Sequence, residues 1–171
     1  DIQIVWIWEW VTQDDCIGLE GVGQGYLRVW ALLTTTGYEG RLVGDEVGYA
    51  PRLKSNHEAV EFVVRAIEAA KLQPAEDVTI AIDVASTHFY DDKNYRLKTE
   101  GDKLLSSRDM VDRLESWVDK FPITSIEDGL AEEDWDGWQE LTKRLGHRVR
   151  LVGDDLFATN VNRVTKGIKS G

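Results

Sequence analysis

The sequence is poor in cysteine and in positive charge. Cys16 is the only cysteine among 171 residues, which excludes an internal disulfide and favours a reducing, cytoplasmic setting. Acidic residues outnumber basic ones by 31 to 20, and the formal net charge is −11. No nucleic acid is therefore expected as a partner, since phosphate backbones attract basic surfaces.

A long apolar run is also missing. No stretch approaches the roughly 20 apolar residues that a membrane-spanning helix needs, so a membrane is not an expected partner. The apolar start is interrupted by Glu9, Asp14 and Asp15 and has no basic segment before it, which does not fit a signal peptide. With 42% hydrophobic and 30% charged residues, the chain is expected to form a single globular domain over 1–171.

Three short apolar runs rich in β-branched residues each end in a carboxylate. The runs occupy residues 79–83, 123–127 and 149–154. Segments with helical spacing lie between them, so the pattern predicts an α/β fold of βαβαβ order with a parallel sheet. Because the carboxyl ends of parallel strands meet at one edge of a sheet, we expect Asp83, Glu127 and Asp154 to gather there.

Local signals mark where the helices begin. Helix starts are predicted at Ser55, at Ser106 or Ser107, after the acidic loop 132–134, and at Thr159 or Asn160. Two aromatic arms around a polar turn predict a small β-hairpin excursion at about 88–98.

The first 42 residues differ from the rest. Trp6, Trp8 and Trp10 lie on one side of a period-2 run, which predicts a strand. The tryptophan face could be a binding surface, but burial in the core is the favoured interpretation because a strand must bury one of its faces. Residues 26–36 are compatible with either a short apolar helix or a strand.

Carboxylates that converge without histidine or cysteine would form an all-oxygen site. Hard divalent cations prefer such ligands, and Mg²⁺ takes a few carboxylates together with waters and substrate oxygens. Without a cation the like charges would repel each other. The alternative is that each acid caps the helix after its strand and binds nothing. Acids at successive strand ends, with Asp45 and Glu46 after a further apolar run, favour the metal site.

From residue 43 to the end, the sequence resembles the enolase (phosphopyruvate hydratase) family. The matching segments, in the family's order, are 43–46, 50–56, 81–86, 122–128, 133–135 and 151–156. The resemblance implies a partial (β/α)8 enolase-type barrel of about five strands. In this interpretation 1–42 is a divergent segment and 43–171 is the enolase-like part of the domain.

The resemblance also implies a reaction and its ligands. It implies a lyase in glycolysis that interconverts 2-phosphoglycerate and phosphoenolpyruvate, with Mg²⁺ held by Asp83, Glu127 and Asp154. The metal then stabilises a developing oxyanion on the substrate. Glu46 matches the family's acid that assists departure of the hydroxyl group.

Within these 171 residues no lysine matches the family's base lysine, so the chain alone is expected to be catalytically incomplete. A partial barrel exposes a sheet edge, and a second copy or a partner chain is expected to cover it. Two alternatives remain open. One is a non-catalytic, designed or truncated half-barrel scaffold that self-associates. The other is a receiver-like phospho-acceptor domain, although a receiver's acid pair follows the first strand and Asp154-Asp155 follows the last.

Overall fold

The computed structural model describes the backbone of residues 5–10 and all of residues 27–38 and 51–171. These residues form a mixed α/β fold with a parallel sheet, helices and a small antiparallel sheet, which confirms the predicted fold class. The chain divides into two compact units. The first comprises Ala81–Gly171 together with Asp1–Val5, and the second comprises Trp6–Ile80. That residues 1–171 form a single domain stays a prediction.

In residues 27–38 and 51–171, no helix has both the length and the apolar character needed to cross a membrane.

The Trp6–Ile80 unit combines two helices with neighbouring strands. Strand β1 (Val5–Trp10) neighbours β2 (Val78–Asp83) in the strand order, and the helices are α1 (27–35) and α2 (Asn56–Ala69). Side chains from both helices form a buried cluster, made of Val29, Leu33, Phe62 and Ala66. Of the segment 26–36, which the sequence left open between helix and strand, residues 27–35 are therefore helical. The side chains of the β1 tryptophans lie outside the described residues, so their burial stays a prediction.

The Ala81–Gly171 unit contains the acid-bearing strand ends. Its sheet has the order β2, β6 (Ile123–Glu127), β7 (Arg150–Val152). Strands β6 and β7 are parallel, with Glu127 opposite Val152. Strand β7 is shorter than the predicted run 149–154, because the chain turns after Val152. There the carbonyl of Asp154 accepts hydrogen bonds from the Phe157 and Ala158 N–H groups at 3.2 and 2.7 Å.

The helices of this unit begin at polar caps, as the local signals predicted. They are α3 (Ser107–Lys120), α4 (Trp135–Leu145) and α5 (Val161–Ser170), and their caps are Ser106, Asp134 and Asn160. The cap side chains accept hydrogen bonds from N–H groups that have no partner within the helix. Several side chains on the inner faces of α3 and α4 are fully buried, namely Met110, Val111, Leu114, Leu141 and Leu145.

The excursion after β2 is larger than the hairpin predicted at 88–98. Strands β3 (Tyr90–Asp91) and β4 (Asn94–Leu97) form that hairpin, with Tyr90 opposite Tyr95. A third antiparallel strand, β5 (Lys103–Leu105), pairs with β4. The sequence pattern missed β5 because three residues carry no periodicity, and only pairing with β4 makes them a strand.

Candidate metal centre

The ends of β2, β6 and β7 lie side by side. Backbone pairing continues past the strands, since Val84 N–H donates to the Glu127 carbonyl at 2.9 Å and Asp128 N–H donates to the Val152 carbonyl at 3.0 Å. Asp83 and Glu127 are the last residues of β2 and β6, and Asp154 follows β7 in the turn. The acids named from the sequence therefore lie on adjacent strand ends of one sheet.

The closest group of carboxylate oxygens differs by one residue from the predicted trio. One oxygen each from Glu127, Asp128 and Asp154 lies within 4.8 Å of the others. Asp83 is outside this group but interacts electrostatically with all three of its members. The structure thus brings the predicted acids to one edge and adds Asp128 to them.

Ionisation of Asp83, Glu127 and Asp128 is costly in the metal-free protein. Burial raises the pKa of Asp83 to about 6, and the charges of Asp128, Asp155 and Asp154 act in the same direction, against a hydrogen bond from Ala85 N–H at 3.0 Å. Burial also raises the pKa of Glu127, with a further contribution from Asp83. The pKa of Asp128 is raised, first by burial, although backbone N–H groups oppose the shift. A bound cation would remove this cost.

No cationic side chain compensates the cluster within the described ranges 27–38 and 51–171. The ion pairs found there join other acids to histidine or arginine, as in Arg113 with Glu100 and Arg144 with Asp112 and Glu115. The donors at the strand ends are carboxylate oxygens, which are the ligands that Mg²⁺ prefers. The residues present therefore fit a hard divalent cation.

The accessible members of the cluster are those that the sequence named. Asp154 is exposed, and Asp83 and Glu127 are partly buried, whereas Asp128 is only 3% exposed. The two carboxylate oxygens of Asp128 accept hydrogen bonds from the N–H groups of Asp155 and Leu156, at 2.9 and 3.4 Å. Asp83, Glu127 and Asp154 could therefore hold a metal ion from the accessible side of the cluster, whereas Asp128 is engaged with the protein backbone.

The sequence pattern did not single out Asp128 as a member of the cluster. The one available signal was that a second acid directly follows Glu127, as Asp155 follows Asp154. Which acid of each pair is buried depends on backbone conformation, and Asp128 has a φ of 41° in the left-handed region. The predicted catalytic residue Glu46 lies outside the described residues, so its role stays a prediction.

The loop after β6, residues 128–134, is held by buried hydrogen bonds. Ser86 Oγ donates to the Gly129 carbonyl at 2.9 Å. The hydroxyl of Tyr95, a residue with 0% exposure, donates to Asp134 Oδ2 at 2.6 Å and accepts from Ala131 N–H at 3.1 Å. These bonds fix the backbone of the loop that follows Glu127.

A comparison with protein families matches residues 26–171 to the model described as enolase, C-terminal TIM barrel domain. The match begins earlier than the resemblance read from residue 43, and it includes the acids at all three strand ends. It also agrees with the parallel sheet and the flanking helices of the structure. Because the model covers most of the chain, the protein belongs to the family of the enolase C-terminal TIM barrel domain.

Proposed function

We propose that the chain is the magnesium-binding part of an enolase-type lyase. In this proposal Asp83, Glu127 and Asp154 hold Mg²⁺, and the site serves the interconversion of 2-phosphoglycerate and phosphoenolpyruvate. The observation that carries it is the acid cluster at adjacent strand ends, which has no cationic partner in the described residues. Family membership over residues 26–171 supports the choice of reaction.

Each acid would have a distinct part in holding the ion. Asp83 and Glu127 end strands of the sheet, so their backbone positions are rigid, and Asp154 extends from an exposed turn. When bound, Mg²⁺ supplies positive charge that stabilises the charge developing on the substrate's carboxylate group. Glu46, by its family match, would assist departure of the hydroxyl group.

Proton abstraction is the step for which these residues offer no obvious base. By the resemblance, none of the lysines among these 171 residues takes the place of the family's base lysine. We therefore expect the 171-residue chain alone to bind Mg²⁺ while converting 2-phosphoglycerate far more slowly than a complete enolase. Robust turnover would contradict this part of the proposal.

Calorimetric titration of Mg²⁺ into the metal-free chain tests the ligand assignment. Asp154→Asn removes a candidate ligand and is expected to weaken binding at least tenfold. Asp136→Asn is the matched control, because Asp136 is an exposed acid in the first turn of α4 and belongs to no part of the cluster. Wild-type protein that binds no Mg²⁺, or equal affinity of the two variants, would refute the assignment.

A self-associating scaffold is the second candidate, and α5 carries the observation that favours it. Val161, Val164 and Ile168 recur along one face of α5 and are 77%, 40% and 78% exposed. A second copy that covered this stripe would remove apolar surface from water. Light scattering across a concentration series tests this, with Ile168→Lys expected to abolish any association. A wild-type chain that stays monomeric would exclude the scaffold.

A further inference from the structure

The backbone of Asp128 connects the three acid-bearing strand ends. Asp128 directly follows Glu127 at the end of β6. Its N–H donates to the Val152 carbonyl at the end of β7, at 3.0 Å, and its carbonyl accepts from the Ser86 N–H at 3.2 Å. Ser86 lies three residues after Asp83, in the turn that leaves β2. One residue therefore links β6 to both of its neighbours.

The side chain of Asp128 forms a further link to the turn after β7. Its carboxylate accepts the N–H groups of Asp155 and Leu156, the residues that follow Asp154. Asp128 is 3% exposed and has a φ of 41°, a conformation that aspartate and asparagine adopt more readily than most residues. Such a conformation persists where the surrounding bonds determine it. The side chain is thus held between the two loops.

We propose that Asp128 is a positioning residue of the metal centre, which fixes the Asp154 turn relative to Glu127 instead of coordinating the ion. This inference rests on the proposed function. Its physical basis is that both carboxylate oxygens already accept backbone hydrogen bonds and that the group is buried. Outer partners that orient metal ligands typically affect metal affinity by about 10–100-fold.

Two variants separate positioning from simple loss of charge. Asp128→Asn preserves the tolerance for a positive φ but replaces one acceptor oxygen by an NH₂ group that faces an N–H donor. Asp155→Asn removes the same charge from the same edge, where Asp155 interacts electrostatically with Asp83 and Glu127. It leaves intact the hydrogen bond that the Asp155 N–H donates to the Asp128 carboxylate.

The test combines Mg²⁺ calorimetry with amide hydrogen exchange of the metal-free proteins. Wild type is expected to bind Mg²⁺, Asp155→Asn to bind a few-fold more weakly, and Asp128→Asn to bind at least about tenfold more weakly than Asp155→Asn. The Leu156 amide is expected to exchange faster in Asp128→Asn and at the wild-type rate in Asp155→Asn. A residue that merely coordinated the ion would leave exchange in metal-free protein unchanged.

The outcomes distinguish the two proposals. Wild type that binds no Mg²⁺ would refute the proposed function and the positioning role with it. Wild type that binds, with equal affinities for the two variants, would refute the positioning role alone. Circular dichroism confirms that each variant is folded. If Asp128→Asn does not fold, exchange of the Leu156 amide in the metal-free wild type serves as the test. A protected amide supports the proposal, and an amide that exchanges freely overturns it.

Discussion

Among the acids at the strand ends, Asp83 is the one whose pKa is raised by a large amount, and burial is the main cause. Its pKa of about 6 means that ionisation costs the metal-free fold free energy, since the ordinary value is 3.8. A folded-state pKa above the unfolded one gives stability that is present below the ordinary pKa and lost as pH rises through the folded one. The metal-free protein should therefore lose stability from this group between about pH 4 and pH 6.

Asp83→Asn removes this titration while retaining an oxygen that can accept the Ala85 N–H. Relative to wild type, the variant is expected to gain roughly 2 kcal/mol of unfolding free energy as pH rises from about 4 to 7. Urea unfolding in the presence of a chelator measures the difference at each pH. A difference between the two proteins that does not change with pH would contradict the raised pKa.

Among the elements, α5 is held by a polar anchor instead of a buried face. None of its side chains is buried, but Arg163 bonds to the carbonyls of Leu156 and Glu132 and to Glu133 Oε1, the last at 2.8 Å. Its guanidinium also lies 5.4 Å from the centre of the Trp135 ring. The planar fork of arginine suits several acceptors at once, which a lysine ammonium does not match.

Arg163→Lys should therefore loosen α5 without changing its charge. We expect amide exchange along α5 to accelerate about tenfold or more, since hydrogen bonds of charged groups contribute about 1.5–3 kcal/mol each. Lys169→Arg, on the exposed end of the same helix, is the control and should exchange at the wild-type rate. Equal exchange rates in the two variants would show that α5 is held by other contacts.

The capping box of α3 gives a second prediction at this scale. Ser106 Oγ accepts the Asp109 N–H at 3.2 Å, and Asp109 Oδ2 accepts the Ser106 N–H at 2.9 Å. Ser106→Ala removes the first bond and is expected to cost about 1 kcal/mol of unfolding free energy. Urea unfolding measures the cost, and calorimetry should find unchanged Mg²⁺ affinity. A changed affinity would mean that α3 affects the acid edge.

The sequence predicted an element well where the residues that determine it lie within the element, and poorly where they lie elsewhere in the chain. Strand β6 was predicted with its observed bounds, Ile123–Glu127, because a buried parallel strand is a continuous apolar run. Strand β7 was predicted too long and β5 was missed, since pairing partners decide both. The position of Asp128 depends on a left-handed φ and on residues 27 and 28 positions away, which no local pattern contains.

For the molecule as a whole, the net charge of −11 and the acids at the strand ends of the Ala81–Gly171 unit both favour the binding of a cation. A divalent cation that binds only the folded state stabilises it by mass action, by about 2.7 kcal/mol at 100 times its dissociation constant. The family match over 26–171 and the parallel sheet explain why the acids meet at one edge. The assignment of Asp83, Glu127 and Asp154 as metal ligands is our proposal, and it rests on the accessibility of these three acids.

The location of a bound ion tests this account most directly. Crystals of the wild-type chain grown with Mn²⁺, which accepts the same oxygen ligands as Mg²⁺, would reveal the ion by anomalous diffraction. The account predicts a peak coordinated by carboxylate oxygens of Asp83, Glu127 and Asp154, with Asp128 still bonded to the N–H groups of Asp155 and Leu156. A peak elsewhere, or none at saturating Mn²⁺, would contradict the assignment of these strand-end acids as the metal centre.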